Sequence, residues 1–396
     1  MIRVALAMLL GDRTKFLGVA LGSLLSTFLI THMLSMFTGI MDRTYALITD
    51  IPQADVWVMH QAVRQVDDPI GMSEDALLLA RAVEGVEWAT PLYVGTLQAR
   101  LPGGGYQATL VIGVDDASLI GLPSGLRECV PHELRRAEGV FVDTIASRST
   151  LAVPVGQAEL PFGSHKVVYG GPTRPLAIGD ELTINDHRLI VQGFVELGPR
   201  FISRPVLYTT YSRASYISPR TRLVLSYVLV KAAPGVDPAA LAARIEARTD
   251  LKARTVADFK DDTYWYYFLL TGVVSRIVFM ISTAVVVGLS VSSLLFYLFT
   301  AENAKYYVTL MALGCRGRTL VGMVLAQAAV STVTGFGLGV GASALLGRIV
   351  STQTMPYLLT WRVLAAASVA LVLVGLVAST LSLRRLLRLE PAMVFK

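Results

Sequence analysis

The chain has 396 residues, of which 53% are hydrophobic and 16% are charged, a composition typical of a membrane protein. Its net charge of +6 is unevenly distributed, because residues 42–265 carry a net charge of −4 and the rest of the chain carries +10. The surplus of Lys and Arg therefore accompanies the apolar segments. This indicates anchoring at a membrane and excludes nucleic acid as the reason for the positive charge.

Four uncharged apolar runs are predicted to be membrane-spanning helices. They cover residues 16–41, 277–299, 319–347 and 363–383, and they contain 26, 23, 29 and 21 residues. A helix needs about 20 apolar residues to cross ~30 Å of hydrocarbon, and it satisfies its own backbone hydrogen bonds there. The first run is too long for the apolar part of a cleaved signal peptide, and no clear cleavage site follows it.

Basic residues cluster in the short segments on one side of the predicted spans. Short loops rich in Lys and Arg remain in the cytoplasm. We therefore expect both termini and the loop after the second span in the cytoplasm, the polar domain in the periplasm, and the chain in the bacterial inner membrane. The residues that carry this prediction are Arg3, Arg13, Lys15, Lys305, Arg316, Arg318, Arg384, Arg385, Arg388 and Lys396.

The predicted fold class is an α-helical membrane protein with four transmembrane helices and a large mixed α/β periplasmic domain inserted between helices 1 and 2. The predicted segments, in chain order, are the cytoplasmic N-terminus with transmembrane helix 1 (1–41), the periplasmic α/β domain (42–265), transmembrane helix 2 with a periplasmic extension (266–300), a cytoplasmic coupling loop or helix (301–318), transmembrane helix 3 (319–347), a short periplasmic loop (348–362), transmembrane helix 4 (363–383) and a basic cytoplasmic tail (384–396).

The periplasmic domain contains two predicted β-α-β units. In the first, Ser73 caps a helix that ends at Gly85 and is followed by a strand. In the second, Asp237 and Pro238 begin a helix that lies between two strands. Two such units separated by further strands indicate a ferredoxin-like split fold. Between them, residues 185–187 are predicted to form the turn of a β-hairpin.

No residues with the spacing of a catalytic site occur in the sequence. It contains neither the G-x-x-x-x-G-K-[ST] motif of ATP-binding loops nor the H-E-x-x-H motif of zinc enzymes, and its five histidines are widely separated. We therefore expect no catalytic residue, no cofactor and no metal in this chain. It is predicted not to be an enzyme by itself, and any work it performs must draw its energy from a partner.

Small and polar residues within the spans are expected to serve helix packing. His32 and Gln327 lie deep in the first and third spans, and each is predicted to hydrogen-bond a neighbouring helix rather than to move a proton. Glycines let helices approach closely, and a span that packs without any dimer contact is the alternative. The candidate packing glycines are Gly18, Gly22, Gly335, Gly337, Gly339 and Gly341.

An aromatic run precedes the second span and predicts an interface with the periplasmic face of the membrane, because Trp and Tyr are enriched where lipid meets water. Contact with a substrate at an entry is the alternative. The helices that join the spans to the periplasmic domain, at residues 42–50 and 261–276, are hypothesised to act as levers. The predicted interface residues are Tyr264, Trp265, Tyr266, Tyr267, Phe268 and Arg276.

The loop after the second span is predicted to form a short cytoplasmic helix. Residues 301–318 contain no proline, and Gly314 stands where a glycine would end a helix. Such a helix would lie against the membrane or dock into the groove of a partner, whereas a plain connecting turn is the alternative.

Several segments resemble the MacB/FtsX-like ABC transporter permeases, and most closely their DevC-type branch. Residues 309–314 resemble the coupling segment "T-L-K-A-M-G" of that family, and residues 383–392 resemble its ending "R-R-L-R-x-x-D-P-A". Residues 85–95 are similar to "G-V-E-S-V-S-P-L-Y-V-G", and residues 111–115 to "V-F-G-F-D". Two positions depart from the family pattern, because relatives commonly carry Glu and Lys where this chain has Tyr306 and Met311.

The resemblance implies a permease subunit that pairs with a second, identical copy and binds a cytoplasmic ATPase, which holds ATP and Mg. ATP-driven closure of the helices would move the periplasmic domain by mechanotransmission. A periplasmic or outer-leaflet substrate would then pass into a membrane-fusion adaptor and a TolC-like channel. The implied ATPase-coupling residues are Glu302, Leu310, Ala312, Leu313, Gly314, Arg316 and Arg318.

Two other functions are compatible with the same topology. Extraction of lipoprotein or lipid, as in LolC/LolE, would need a lipid-accessible opening lined by aromatic and apolar side chains. Signalling to a periplasmic hydrolase, as in FtsX, is disfavoured because FtsX-like outer domains are usually smaller. The sequence does not specify the substrate, and it leaves open whether the pair is a homodimer or a heterodimer.

Overall fold

The computed structural model describes residues 2–11, 13–102, 104–127, 130–155, 173–198, 200–219, 223–350 and 356–386. The chain divides into two units, which are described separately below. Met1–Met41 and Thr271–Lys396 form the membrane unit, and Asp42–Leu270 forms the inserted domain. Parts of two predicted segments, residues 351–355 of the short loop and 387–396 of the basic tail, lie outside the described residues.

The helices and strands are numbered along the whole chain. The helices are α1 (Ile2–Gly11), α2 (Arg13–Asp42), α3 (Ala46–Asp50), α4 (Asp75–Arg81), α5 (Thr144–Arg148), α6 (Tyr211–Ile217), α7 (Pro238–Thr249), α8 (Val256–Leu270), α9 (Val273–Glu302), α10 (Ala304–Ala312), α11 (Gly317–Val350) and α12 (Trp361–Leu386). The strands are β1 (Val56–Met59), β2 (Val86–Arg100), β3 (Tyr106–Val114), β4 (Leu126–Arg127), β5 (Gly139–Asp143), β6 (Val153–Pro154), β7 (Thr173–Arg174), β8 (Glu181–Ile184), β9 (His187–Val195), β10 (Val206–Thr210), β11 (Tyr227–Ala232) and β12 (Lys252–Thr255).

Within the described residues, four helices are long and apolar enough to cross a membrane. The candidate spans are Phe16–Asp50, Val274–Glu302, Gly317–Val350 and Trp361–Thr380. Three of them are longer than the apolar runs in the sequence, because the helices continue into flanking polar residues once the backbone hydrogen-bond ladder has formed. The predicted fold class is confirmed: four spanning helices, with a mixed α/β domain inserted after the first.

The inserted domain contains the predicted ferredoxin-like fold. Its first four-stranded sheet has the order β12-β1-β11-β2, and every neighbouring pair is antiparallel. The two strands of the β1-α4-β2 unit therefore run parallel on either side of β11, and the two strands of the β11-α7-β12 unit run parallel on either side of β1. This interleaving of two split β-α-β units confirms the prediction.

Helices cover both faces of this sheet. Side chains alternate between the faces of a strand, so Val56 and Val58 of β1 pack under α4 and α7, whereas Trp57 and Met59 point to the opposite face. That second face is covered by α3 and α8, where Phe259 contacts the Trp57 ring at a centroid distance of 5.7 Å. The sheet thereby connects directly to the two helices nearest the membrane unit in sequence.

The second part of the inserted domain grows from the same strand. β2 has 15 residues, and its far half pairs with β3 in a sheet that continues β3-β10-β5-β9-β4. β8 and β9 form the predicted hairpin, and Asn185 and Asp186 at its tip have φ of +47° and +65°. Both residues of a type I′ turn need positive φ, which Asn and Asp tolerate better than most residues.

Helix boundaries near the second span differ from the predicted segment of residues 266–300. The helix predicted to continue through this region is two helices, since α8 ends at Leu270 and α9 begins at Val273. Gly272 between them has a φ of +66°, in the left-handed region that a continuous right-handed helix excludes. The lever hypothesised for residues 261–276 is therefore interrupted at this glycine.

Candidate functional site

The predicted short helix after the second span is α10, and it ends at the predicted glycine. Gly314 has a φ of +89°, its N–H donates to the Met311 carbonyl at 3.0 Å, and the Cys315 N–H donates to the Leu310 carbonyl at 3.0 Å. These two bonds are the Schellman motif, which needs a residue in the left-handed conformation. The prediction of a helix with a glycine cap is confirmed.

One side of α10 is packed into the membrane unit. Tyr307 is buried among Ala5 of α1 and the α11 residues Leu320 and Val324, and the adjacent Val308 is also buried. Burial raises the pKa of the Tyr307 hydroxyl to about 12, so it is protonated at neutral pH and can donate a hydrogen bond. The cluster therefore joins α1, α10 and α11, of which α10 and α11 were predicted from the sequence.

Gln327 links the same three helices by hydrogen bonds. Its Oε1 accepts from the Tyr307 hydroxyl of α10 at 2.7 Å, and its Nε2 donates to the Ala5 carbonyl of α1 at 2.9 Å. The side chain is buried, so both bonds lie away from water. The prediction that Gln327 bonds a neighbouring helix is confirmed. His32 instead stacks on Phe28 and Tyr357, and its Nδ1 has no partner among the described residues.

The opposite side of α10 and the turn after it face outward. Leu313 is 79% exposed and Tyr306 is 61% exposed, and both are large apolar side chains beside a rigid cap. Leu310 differs from the other candidates, because it is half-buried against the α1–α10–α11 cluster. The remaining candidate coupling residues are all exposed: Glu302, Ala312, Gly314, Arg316 and Arg318.

The candidate packing glycines fall into two groups. A Cβ on Gly335 or Gly339 would lie 2.3 Å and 2.6 Å from the Cβ atoms of Ser23 and Thr27, so these glycines let α11 approach α2. Gly22 does the same between α2 and α9, where a Cβ would lie 2.6 Å from a Leu295 methyl carbon. No heavy atom of the described structure comes within 4 Å of a Cβ at the other candidates, Gly18, Gly337 and Gly341.

Hydroxyl groups on the buried side of α2 were missed by the sequence analysis. The Ser26 hydroxyl lies 2.8 Å from the Ser292 hydroxyl and 2.8 Å from the Gly288 carbonyl oxygen, both on α9. The signal was available, because Ser23, Ser26 and Thr27 recur at helical spacing in an otherwise apolar run. Hydroxyls at a helix contact are a common device of membrane proteins.

The predicted aromatic interface lies on α8 and is divided between two sides of that helix. Tyr267 is buried in the inserted domain, and its hydroxyl donates to Asp67 at 3.1 Å. Tyr264 stacks on Phe268, and the Trp265 ring packs edge-on against Phe268. Among the predicted interface residues, Trp265 and Arg276 are exposed and Tyr266 is half-buried.

Among the described residues, no group of three or more His, Cys, Asp or Glu side chains could hold a metal ion. The features with functional geometry are therefore the exposed surface of α10 and the close packing beneath it.

Four spanning helices, an α/β domain after the first, and a capped helix exposed between the second and third make this chain a membrane protein with one large inserted domain. Two family profiles match the chain: the MacB-like periplasmic core domain over residues 16–248, and the FtsX-like permease C-terminal domain over residues 264–391. The chain belongs to the MacB/FtsX-like family of ABC transporter permeases, whose members work with an ATPase. Its four apolar helices and its periplasmic-type domain fit a protein of the inner membrane.

Three solved structures are similar to part of the chain. The periplasmic region of MacB from Actinobacillus actinomycetemcomitans is 12% identical, with 54% of this chain and 94% of that one covered and a TM-score of 0.36. The extracellular domain of the noncanonic ABC-type transporter YknZ from Gram-positive bacteria is 12% identical, with coverages of 51% and 98% and a TM-score of 0.31. A domain of a putative permease protein from Porphyromonas gingivalis is 17% identical, with coverages of 52% and 90% and a TM-score of 0.33. The search of curated proteins gave no match.

Proposed function

We propose that this chain is the permease subunit of an ABC exporter that works by mechanotransmission. A separate cytoplasmic ATPase, which holds ATP and Mg, binds α10 of two identical copies. Its cycle moves the inserted domain and drives a periplasmic or outer-leaflet substrate into a membrane-fusion adaptor and a TolC-like channel. In this proposal both termini and α10 face the cytoplasm.

The observation that carries the proposal is the two-sided environment of α10. On one side, Tyr307 and Gln327 fix the helix to α1 and α11. On the other side, Leu313 and Tyr306 expose apolar surface that costs free energy in water and is recovered when a partner covers it. A rigid helix with two exposed anchors suits insertion into a groove, the mode by which amphipathic helices bind their partners.

The proposal is tested by cross-linked affinity purification of the tagged chain from native membranes, read by mass spectrometry. We expect the wild-type chain to recover an ABC ATPase together with an adaptor. Leu313→Ala should lower ATPase recovery by about tenfold, the effect of losing one well-buried interface anchor. Ile178→Ala is the matched control, because it removes a similarly exposed aliphatic side chain from the inserted domain. If no ATPase is recovered with the wild-type chain, the exporter assignment is wrong.

Extraction of lipoprotein or lipid is the second candidate, and the exposed apolar side of α8 favours it. Trp265, Leu269 and Leu270 are all more than half exposed on this helix. In the same purification, recovery of the ATPase with lipoproteins and without an adaptor would support extraction. Recovery of a peptidoglycan hydrolase would support signalling of the FtsX kind.

A further inference from the structure

Arg200 is a buried cation at the centre of the inserted domain. Its side chain is 7% exposed, and its Nη2 donates to the Asp50 carboxylate of α3 at 2.8 Å. The same nitrogen lies 3.5 Å from the Tyr208 hydroxyl of β10. Arg200 therefore ties α3, the short helix at the end of the first candidate span, to a central strand of the distal sheet.

The Asp50 ion pair leaves much of the guanidinium without a partner. Nε and Nη1 of Arg200 are buried, and no acceptor within the described residues bonds either of them. An arginine has five N–H donors, and a buried donor without an acceptor destabilises the folded state. Nε and Nη1 of Arg200 could therefore donate to another acceptor.

The charges of Asp67 and Asp143 also interact with Arg200, and of these two Asp67 is the one hydrogen-bonded to α8. Asp67 lies after β1, and its charge interacts with Arg200 and, more weakly, with Arg204. Burial outweighs these interactions and raises the pKa of the Asp67 carboxyl. The nearby positive charges therefore do not fully offset the cost of burying the Asp67 carboxylate. The only direct side-chain hydrogen bond described for its carboxylate comes from Tyr267 of α8, at 3.1 Å. Asp67 is therefore linked to α8 by this hydrogen bond, whereas Asp50 is itself a residue of α3.

The segment that carries Arg200 also contacts both of these regions. The Phe201 N–H donates to the Arg43 carbonyl at 3.3 Å, next to the start of α3. The Phe201 ring packs against the Tyr267 ring at a centroid distance of 4.6 Å. A displacement of either α3 or α8 within the inserted domain would therefore alter the contacts of residues 200–201.

We propose that two carboxylates compete for Arg200: Asp50 of α3, and Asp67, which Tyr267 links to α8. Its guanidinium binds Asp50 in this structure and exchanges to Asp67 when the two helices shift relative to each other. The exchange gives the inserted domain two discrete arrangements instead of a continuous deformation, which is what a two-state coupling element requires. Arg200 is thus a positioning residue, and its role in transport rests on the proposed function, whereas the exchange itself does not.

The test uses the full chain in lipid nanodiscs, with the native cysteines replaced by serine and spin labels at Thr49→Cys on α3 and Gln98→Cys on β2. Both labelled positions are exposed. Double electron–electron resonance is recorded without nucleotide, and again with the recovered ATPase and ATP-vanadate. The variants are Asp50→Asn, which removes the charge that holds Arg200 on α3, and Asp67→Asn, which removes the charge of the second carboxylate. Asp68→Asn is the matched control, because Asp68 is adjacent and exposed.

Without nucleotide, we expect one distance population for the wild-type chain, Asp67→Asn and Asp68→Asn, and a second population for Asp50→Asn. With ATP-vanadate, the wild-type chain and Asp68→Asn should gain that second population, and Asp67→Asn should not gain it although ATP hydrolysis continues. A folded Asp50→Asn chain with the wild-type distance would overturn the exchange. So would an Asp67→Asn chain that responds to ATP-vanadate like the wild type. If no ATPase is recovered, the proposed function fails, and the nucleotide-free comparison still decides the exchange.

Discussion

At the scale of single residues, the most informative side chain in the membrane unit is Gln327. A glutamine amide in an apolar span must find partners, because hydrocarbon offers none. It finds them on α1 and α10 at once, through the Ala5 carbonyl and the Tyr307 hydroxyl. One buried amide thus specifies how the helix with the exposed anchors is held.

We expect Gln327→Leu to destabilise the α1–α10–α11 contact by roughly 1–3 kcal/mol, because it leaves the buried Tyr307 hydroxyl without its acceptor and removes the bond to the Ala5 carbonyl. Tyr307→Phe removes only one of the two hydrogen bonds and should cost less. The measurement is thermal unfolding of the purified chain in detergent, together with ATPase recovery. If Gln327→Leu matches the wild type in both, the two hydrogen bonds contribute nothing to holding α10.

At the scale of helices, close packing in the membrane unit depends on which side of a helix a glycine occupies. Gly335 and Gly339 are four residues apart and face α2 together, as the helical period requires. Gly337 and Gly341 alternate with them in sequence but lie on the other side, away from any described neighbour. Only the first pair therefore determines how near α11 comes to α2.

This difference supplies a matched pair of substitutions. Gly335→Ala would place a methyl group 2.3 Å from the Ser23 Cβ, and we expect a loss of about 1–3 kcal/mol through overpacking. Gly337→Ala meets open space and should be neutral or slightly stabilising, since alanine favours the helix by about 1 kcal/mol over glycine. Thermal unfolding of both variants in the same detergent decides the matter. Equal losses would show that α2 and α11 do not pack as described.

At the scale of the whole molecule, charge is buried in the inserted domain. Burial raises the pKa of the carboxyls of Asp67 and Asp143 above the ordinary value of 3.8, against the opposing charge of Arg200. Asp180 behaves in the opposite way, because its hydrogen bond from Arg174 lowers the pKa of that carboxyl. Carboxyls with a raised pKa therefore favour folding at low pH, whereas Asp180, with a lowered pKa, favours folding at higher pH.

The pH dependence of stability follows from these directions. A carboxyl with a raised pKa binds its proton more tightly in the folded state, so its contribution is largest below pH 3.8 and is lost as the pH rises through the raised value. We expect Asp67→Asn to remove part of this loss in the domain expressed as residues 42–270, a unit with its own cores. Urea unfolding at pH 4 and pH 7 measures it. The free energy of unfolding of the variant, relative to that of the wild type, should be higher at pH 7 than at pH 4. If this relative stability is the same at both pH values, the pKa of Asp67 is not raised in the folded domain.

The features predicted correctly from the sequence are those that depend on neighbouring residues. Apolar length specified the four spans, and caps such as Asp237 with Pro238 specified helix starts, because both depend on local chemistry. The division of α8 from α9 was missed, since Gly272 within an aromatic and apolar stretch can either continue a helix or break it. Periodicity similarly identified Gln327 as a packing residue without indicating that α1 is one of its partners.

The sequence by itself determined the topology, the ferredoxin-like interleaving of two β-α-β units and the lack of an ATP-binding loop, all of which follow from local composition and order. Tertiary structure alone decided which glycines admit a neighbouring helix, which side of α10 is exposed, and that Arg200 stands between carboxylates associated with α3 and α8. The physical reason is that these contacts join residues that are not neighbours in sequence, such as Tyr307 and Gln327, 20 positions apart, and Arg200 and Asp50, 150 positions apart. The local sequence indicates that a side chain needs a partner, but the identity of that partner is determined by the tertiary fold.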